Sequence, residues 1–309
     1  MTYPAFHGVI TPLCTPFNDD FSIDTESLKR AIDFQIEAGV HGLFVLGSSS
    51  EVAYLPDDQR EVVIQTAVAH VAGRVPVLAG CIDMTTLRVI EHIKVAERTG
   101  ANAVVVTAPY YTRTHEEEIE RHFRMVHAAS SLPIFAYDIP DAVHSKLEPS
   151  LVLRLARDGV IKGLKDSSGD DGAFRYVLLG RRDLGLDDFV VLTGSELVAD
   201  AVLAMGADGV VPGLGNVDPA GYVSLFTKVR EADLEGAREE QERLLRLFAI
   251  VNLAPTHRVG RSSAALGAFK AAMKLRGMID NAVMAPPQLP LLEEEILEIK
   301  KLLFAAGLL

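Results

Sequence analysis

One recurring unit constrains this chain more than any other feature. A helical stretch ends in glycine, a short polar link follows, and an apolar run comes next. The unit appears as Ala38-Gly39-Val40-His41-Gly42-Leu43-Phe44-Val45-Leu46-Gly47 and again as Thr99-Gly100-Ala101-Asn102-Ala103-Val104-Val105-Val106-Thr107. It returns as Met205-Gly206-Ala207-Asp208-Gly209-Val210-Val211-Pro212, with a looser copy over 158–165. Glycine just past a helix supplies the left-handed cap. Strands that are apolar throughout suit a parallel sheet buried on both faces. Further strand-like runs lie at 8–13, 75–80, 133–137 and 189–194, which brings the strand count to eight. Helical patterns at 24–38, 56–71, 85–99 and 115–129 alternate with them. The expected fold is therefore α/β, a (β/α)8 barrel. An open doubly wound sheet is the alternative, but no Gly-x-Gly-x-x-Gly follows the first strand.

Beyond about residue 222 the strands stop. Residues 228–251, 264–277 and 292–306 read as helices, joined by 252–263 and by Ala285-Pro286-Pro287. The expected organisation is a barrel carrying the active site over 1–225 and a C-terminal helical region over 226–309.

The 309 residues carry a net charge of −12, which argues against nucleic acid or an anionic membrane as partner. No apolar run approaches the roughly 18 residues of a membrane span. Met1-Thr2-Tyr3-Pro4 does not open an export signal. Two cysteines, Cys14 and Cys81, make neither a disulfide framework nor a metal cluster, and the histidines lack ligand spacing. A cytoplasmic protein with no metal and no cofactor is expected, with a small molecule as its partner.

In a barrel, chemistry gathers where strands end. The sixth strand ends in Gly163-Leu164-Lys165-Asp166, placing a lysine at the edge of a buried segment. A poorly solvated lysine loses basicity, and its neutral amine can attack a carbonyl to form a Schiff base. Other strand ends offer Gly47-Ser48-Ser49-Ser50-Glu51, Pro109-Tyr110-Tyr111, Tyr137-Asp138-Ile139-Pro140 and Thr193-Gly194-Ser195-Glu196. A glycine-led serine turn can cradle a carboxylate, and a phenol beside an imine can pass a proton. Taken singly, each has a plainer reading: a snorkelling lysine, a serine turn, a core tyrosine, and in Glu51 a structural cap or ion pair.

In order and spacing, the runs at 47–51, 109–111, 137–140 and 163–166 resemble the dihydrodipicolinate synthase / N-acetylneuraminate lyase family of class I pyruvate aldolases, over essentially the whole chain. The resemblance implies catalytic roles for Lys165 as Schiff-base lysine, for Tyr137 as proton shuttle, and for Ser48 and Tyr111, the last reaching a neighbouring subunit's site. It implies substrate binding by Ser48, Ser49 and Val211, and a homotetramer. Three positions depart from the family pattern. Ser50 stands where glycine is usual; if that position needs a positive φ, either the serine is strained or the loop has adjusted. Ala142 replaces the arginine that synthases carry five residues after the tyrosine, removing a bidentate carboxylate clamp. Thr112 stands where the synthases favour asparagine.

The expected activity is a lyase reaction that condenses pyruvate with an aldehyde, or cleaves a 2-keto-3-deoxy sugar acid, through an imine on Lys165. Synthesis of 4-hydroxy-tetrahydrodipicolinate from pyruvate and aspartate semialdehyde is one alternative, and dehydration of a 2-keto-3-deoxy sugar acid is another. A non-catalytic 2-keto-acid sensor is the reading from a different class. Such a sensor could lose Lys165 or Tyr137, and both are present.

Overall fold

The computed structural model describes residues 6–309; the segment bearing on an export signal lies outside the described residues. Eight parallel strands close into a barrel in chain order. They are β1 (Gly8–Pro12), β2 (Gly42–Val45), β3 (Val77–Gly80), β4 (Ala103–Thr107), β5 (Ile134–Asp138), β6 (Gly163–Asp166), β7 (Val190–Thr193) and β8 (Gly209–Val210). Nearly every strand residue is buried, because each strand has the barrel interior on one face and helices on the other. The seam between β8 and β1 is closed by glycine: a Cβ on Gly209 would lie 2.1 Å from the Gly8 carbonyl oxygen.

The helices around the barrel are α1 (Thr25–Glu37), α2 (Asp57–Val71), α3 (Thr86–Thr99) and α4 (Glu116–Ala128). They continue as α5 (Pro140–Val143), α6 (Pro149–Arg157), α7 (Asp171–Asp183), α8 (Ala199–Ala204) and α9 (Pro219–Arg230). Local chemistry sets their starts. Asp24, Asp170 and Asp218 each accept a hydrogen bond from a first-turn N–H, those of Ser27, Ala173 and Gly221. Gly39 and Gly100 take φ of 86° and 87° at the ends of α1 and α3, as the recurring unit requires.

Three helices follow: α10 (Leu234–Phe248), α11 (Arg261–Leu275) and α12 (Glu293–Ala305). The apolar pattern over 228–251 reads as one helix, but the chain breaks there. Helix α9 ends at Arg230, Ala232 turns left-handed with φ 61°, and Asp233 caps α10 by accepting from the Gly236 N–H. Likewise α11 begins at Arg261, three residues before its apolar stripe. Leu244, Leu247, Phe269, Met273, Ile299 and Leu303 join the same continuous apolar core as the barrel strands. Among the described residues no helix is long and apolar enough to cross a membrane, and no group of three metal-ligating side chains occurs.

Candidate active site at the strand ends

Lys165 is the third residue of β6 and is 6% exposed. Side chains alternate along a strand. The Lys165 Nζ lies 4.0 Å from the Tyr137 ring centre and 4.9 Å from that of Phe44 on β2, across the barrel. Only a side chain pointing into the barrel reaches both. Asp138 and Asp166, one residue further along β5 and β6, both contact Lys146 instead. The β5–β6 register pairs Tyr137 with Lys165, and the β4–β5 register pairs Thr107 with Tyr137. Sheet pairing alone therefore sets the phenol beside the amine.

Tyr137 is buried. Burial pushes its phenol up, but the Lys165 charge and hydrogen bonds with Ser48, Ser167 and Lys165 outweigh it. The net result holds the phenol below its ordinary value of 10.0. A phenol that gives up its proton more readily than usual, beside a strand-end lysine, is suited to passing protons.

Ser48, Ser49 and Ser50 form a single 3-10 turn immediately after the extended Gly47. Ser48 is exposed at the mouth of the barrel and Ser49 is half-buried beside it. Ser50 does not take the positive φ that its replacement of glycine suggested; the left-handed residue is Glu51, with φ 60°. Ser50 is buried and ties the turn to the end of β1. Its hydroxyl donates to the Leu13 carbonyl, and its own carbonyl accepts from Thr15 Oγ1 at 2.9 Å. Glu51 takes the structural role open to it in the sequence, as one half of a buried ion pair with Lys270.

The structure thus brings Lys165, Tyr137 and Ser48 together, with Ser49 adjoining. Val211 is buried just beyond β8, its N–H bonded to the Thr193 carbonyl at 2.7 Å. Tyr111 does not enter this chain's own site. Its side chain is 88% exposed on a backbone with φ 76°, and the neighbouring Tyr110 lines the cavity instead.

That cavity, about 180 Å³, opens beside Ser48. Its far wall is aliphatic: Ile82, Ile139, Ala142, Val143 and Leu266, with Ser262 from α11. Among the described residues, no lysine, arginine or histidine lines it. His144 is exposed and left-handed, outside the wall. Arg60 and Arg88, near in sequence to the wall residues, are committed elsewhere. Arg88 Nε donates to Asp83 Oδ1 at 2.8 Å, and buried Arg60 donates to the carbonyls of Val52, Leu55 and Ile82. The Thr107 hydroxyl, buried at the end of β4, has no hydrogen-bond partner and borders the same space.

Glu196, after β7, was visible in the sequence only as a strand-end carboxylate without a role. Burial pushes its carboxyl up to about 7, although hydrogen bonds from the Leu214 N–H, at 2.7 Å, and the Tyr222 hydroxyl, at 3.2 Å, oppose the rise. A carboxyl near neutrality close enough to feel the Lys165 charge can hold or release a proton at working pH. Its partners come from residues 18 and 26 positions away, so no local motif announces it.

Comparisons with known proteins agree with this geometry. The family model described as "Dihydrodipicolinate synthetase family" matches residues 5–306. A 4-hydroxy-tetrahydrodipicolinate synthase of Methanopyrus kandleri is 34% identical over 305 residues, covering 96% of each chain. YagE, an E. coli prophage protein of the dihydrodipicolinic acid synthase family solved in complex with pyruvate, superposes with a TM-score of 0.91 at 31% identity, covering 98% of this chain and 99% of that one. The dihydrodipicolinate synthase of Bacteroides thetaiotaomicron gives a TM-score of 0.91 at 32% identity, covering 99% and 100%. With a closed barrel, a strand-end lysine paired with a tyrosine and a family match over nearly its full length, this chain belongs to the dihydrodipicolinate synthetase family and is an enzyme of the class I aldolase and lyase type.

Proposed function

We propose that the protein joins pyruvate to an uncharged aldehyde, or cleaves the corresponding 2-keto acid, through an imine on Lys165. The observation that carries this reading is the Lys165 Nζ at 4.0 Å from the Tyr137 ring centre inside the barrel. The Lys165 amine adds to the pyruvate C2 carbonyl, and loss of water leaves the iminium. Ser48 and Ser49 hold the substrate carboxylate. Tyr137 takes a C3 proton to give the enamine, whose electrons form the new bond to the aldehyde carbon. Tyr137, through Ser48, carries protons to the departing carbinolamine hydroxyl and to the aldehyde oxygen. Water then releases the 4-hydroxy-2-keto acid and restores the amine. In the reverse direction the iminium accepts the electrons of the breaking carbon–carbon bond.

The aliphatic wall supports an uncharged acceptor. An aldehyde bearing a second carboxylate would leave that charge without a cation, where synthases use an arginine. The YagE complex with pyruvate supports pyruvate as the shared substrate. Exposed Tyr111 is consistent with a tetramer in which it serves a neighbouring site, and two buried free cysteines fit a reducing cytoplasm. The test is kcat/KM with pyruvate for glyceraldehyde and for aspartate semialdehyde across pH 6 to 8. The expected result is at least about a tenfold preference for the neutral aldehyde, the worth of one charge-assisted contact. Efficient, pH-independent turnover of the semialdehyde would instead make the protein an ordinary synthase.

A further inference from the structure

Glu51 and Lys270 form an ion pair in which both side chains are fully buried, at 0% exposure each. Lys270 lies in α11, in the C-terminal region, and Glu51 closes the serine turn at the mouth of the barrel. The pair is densely supported. Lys270 Nζ donates to the Val283 carbonyl at 2.8 Å and lies 4.1 Å from the Phe17 ring centre. Glu51 Oε2 accepts from the Ala285 N–H at 2.7 Å and from Gln288 Nε2 at 2.6 Å. A buried ion pair is weak evidence of stabilisation, since apolar groups of similar volume often serve as well. What charges and directed hydrogen bonds add is a fixed geometry.

That geometry lies at the right place to act on the site. The Glu51 N–H donates to the Ser48 carbonyl at 3.1 Å, so Glu51 is both the end of the turn and its anchor. Its left-handed backbone, φ 60° and ψ 29°, is uncommon for a residue other than glycine. Three groups from the C-terminal region, Lys270, the Ala285 N–H and Gln288, hold its carboxylate. We infer that the Glu51–Lys270 pair is a positioning device through which α11 and the 283–288 segment hold Ser48 and Ser49 in register with Lys165 and Tyr137, so that binding of the substrate carboxylate depends on the C-terminal helices. The inference rests on the reading above that Ser48 and Ser49 receive the carboxylate of a 2-keto acid.

The test uses the full-length protein, pyruvate and borohydride. Lys270→Met removes the ammonium with little change in volume, Glu51→Gln removes the carboxylate charge, and Gln288→Leu removes a single anchor. For each variant, and for Glu51→Gln with Lys270→Met combined, three quantities are measured well below its Tm: the Tm, the pyruvate concentration for half-maximal trapping, and the trapping rate at saturation. The half-saturating concentration should rise about tenfold or more for Lys270→Met and Glu51→Gln, the scale of one lost charge-assisted contact. Gln288→Leu should raise it about two- to fivefold, the scale of a neutral hydrogen bond. Saturating rates should change less than about threefold, because binding is lost and chemistry is not. The combined variant should lose less than the product of the two single losses, as coupled partners do. Variants with a lower Tm but an unchanged half-saturating concentration would reduce the pair to a structural role and overturn the inference. If the two charge variants do not fold, Gln288→Leu decides it by the same criterion. A wild-type protein that forms no adduct would overturn the functional reading and this inference together. Normal wild-type trapping with unchanged half-saturation in the variants would overturn the inference alone.

Discussion

The two sides of the barrel mouth are built from opposite materials. On the pyruvate side, Lys165, Tyr137 and Ser48 are brought together by strand register and hydrogen bonds, and Ser48 and Ser49 are held in a turn anchored on a buried ion pair. On the acceptor side stand Ile82, Ile139, Ala142, Val143 and Leu266, with no cation among them. The first side is specified atom by atom because charge has to be created and moved there. On the reading proposed above, the second selects by shape and by the absence of a cation. The two sides share α11, which gives Leu266 to the wall and Lys270 to the anchor, so a substitution at Ala142, in α5 just after β5, is the one that alters the second side with least disturbance of the first.

The largest expected effect breaks the pyruvate side. Tyr137→Phe should still reach the imine with pyruvate, since the Lys165 amine is untouched, but more slowly, because the carrier that protonates the departing carbinolamine hydroxyl is gone, and kcat should fall on the order of 10²–10⁴-fold. Trapping by borohydride and steady-state turnover, measured on the same preparation, separate these. Near-normal turnover would mean that another group, with Glu196 the nearest in chemistry, moves the proton.

A smaller effect sharpens the acceptor side. Ala142 is exposed at the cavity edge, so Ala142→Arg places a guanidinium there without burying it. It should raise kcat/KM for aspartate semialdehyde by roughly ten- to 150-fold, the range of one charge-assisted hydrogen bond. The value for glyceraldehyde should stay within a few-fold. Equal changes for both aldehydes would show that the position affects the loop and not the charge.

The smallest effect concerns the groups that keep cations off the acceptor wall. Asp83 is buried with Arg60 and His92, and also holds Arg88. Burial alone would raise its carboxyl, but the hydrogen bonds from Arg88 and His92 and from the Met84 N–H prevail and lower it to about 2. A carboxyl depressed in the folded state stabilises the protein above its unfolded value, 3.8, and that stability is lost as pH falls from there towards 2. The amount is on the order of 2 kcal/mol. Urea melts between pH 5 and pH 3 should show wild type losing more stability on acidification than Asp83→Asn. Parallel losses would place the acid-sensitive group elsewhere.

The barrel was legible in the sequence because its signals are local: glycine caps, apolar runs and a repeating order. The same locality made Lys165 and Tyr137 readable as strand-end residues, and the closed strand order then makes them neighbours. What escaped is long-range. Leu266 and Ser262 reach the cavity from α11, Glu196 acquires its character from Leu214 and Tyr222, and Lys270 finds Glu51 across 219 positions. For Ser50 the sequence left two readings, strain or an adjusted loop, and the positive φ falls one residue later, at Glu51, whose carboxylate is held by Lys270. The break at Ala232 escaped because both flanking helices carry compatible apolar stripes.

The central claim is that Lys165 carries the substrate as an imine. Borohydride added in the presence of pyruvate should inactivate the enzyme irreversibly and add one reduced pyruvyl group, located by peptide mass spectrometry on Lys165. Chelator treatment beforehand should leave the adduct unchanged. An adduct on another lysine, or no adduct with full activity retained, would contradict the account.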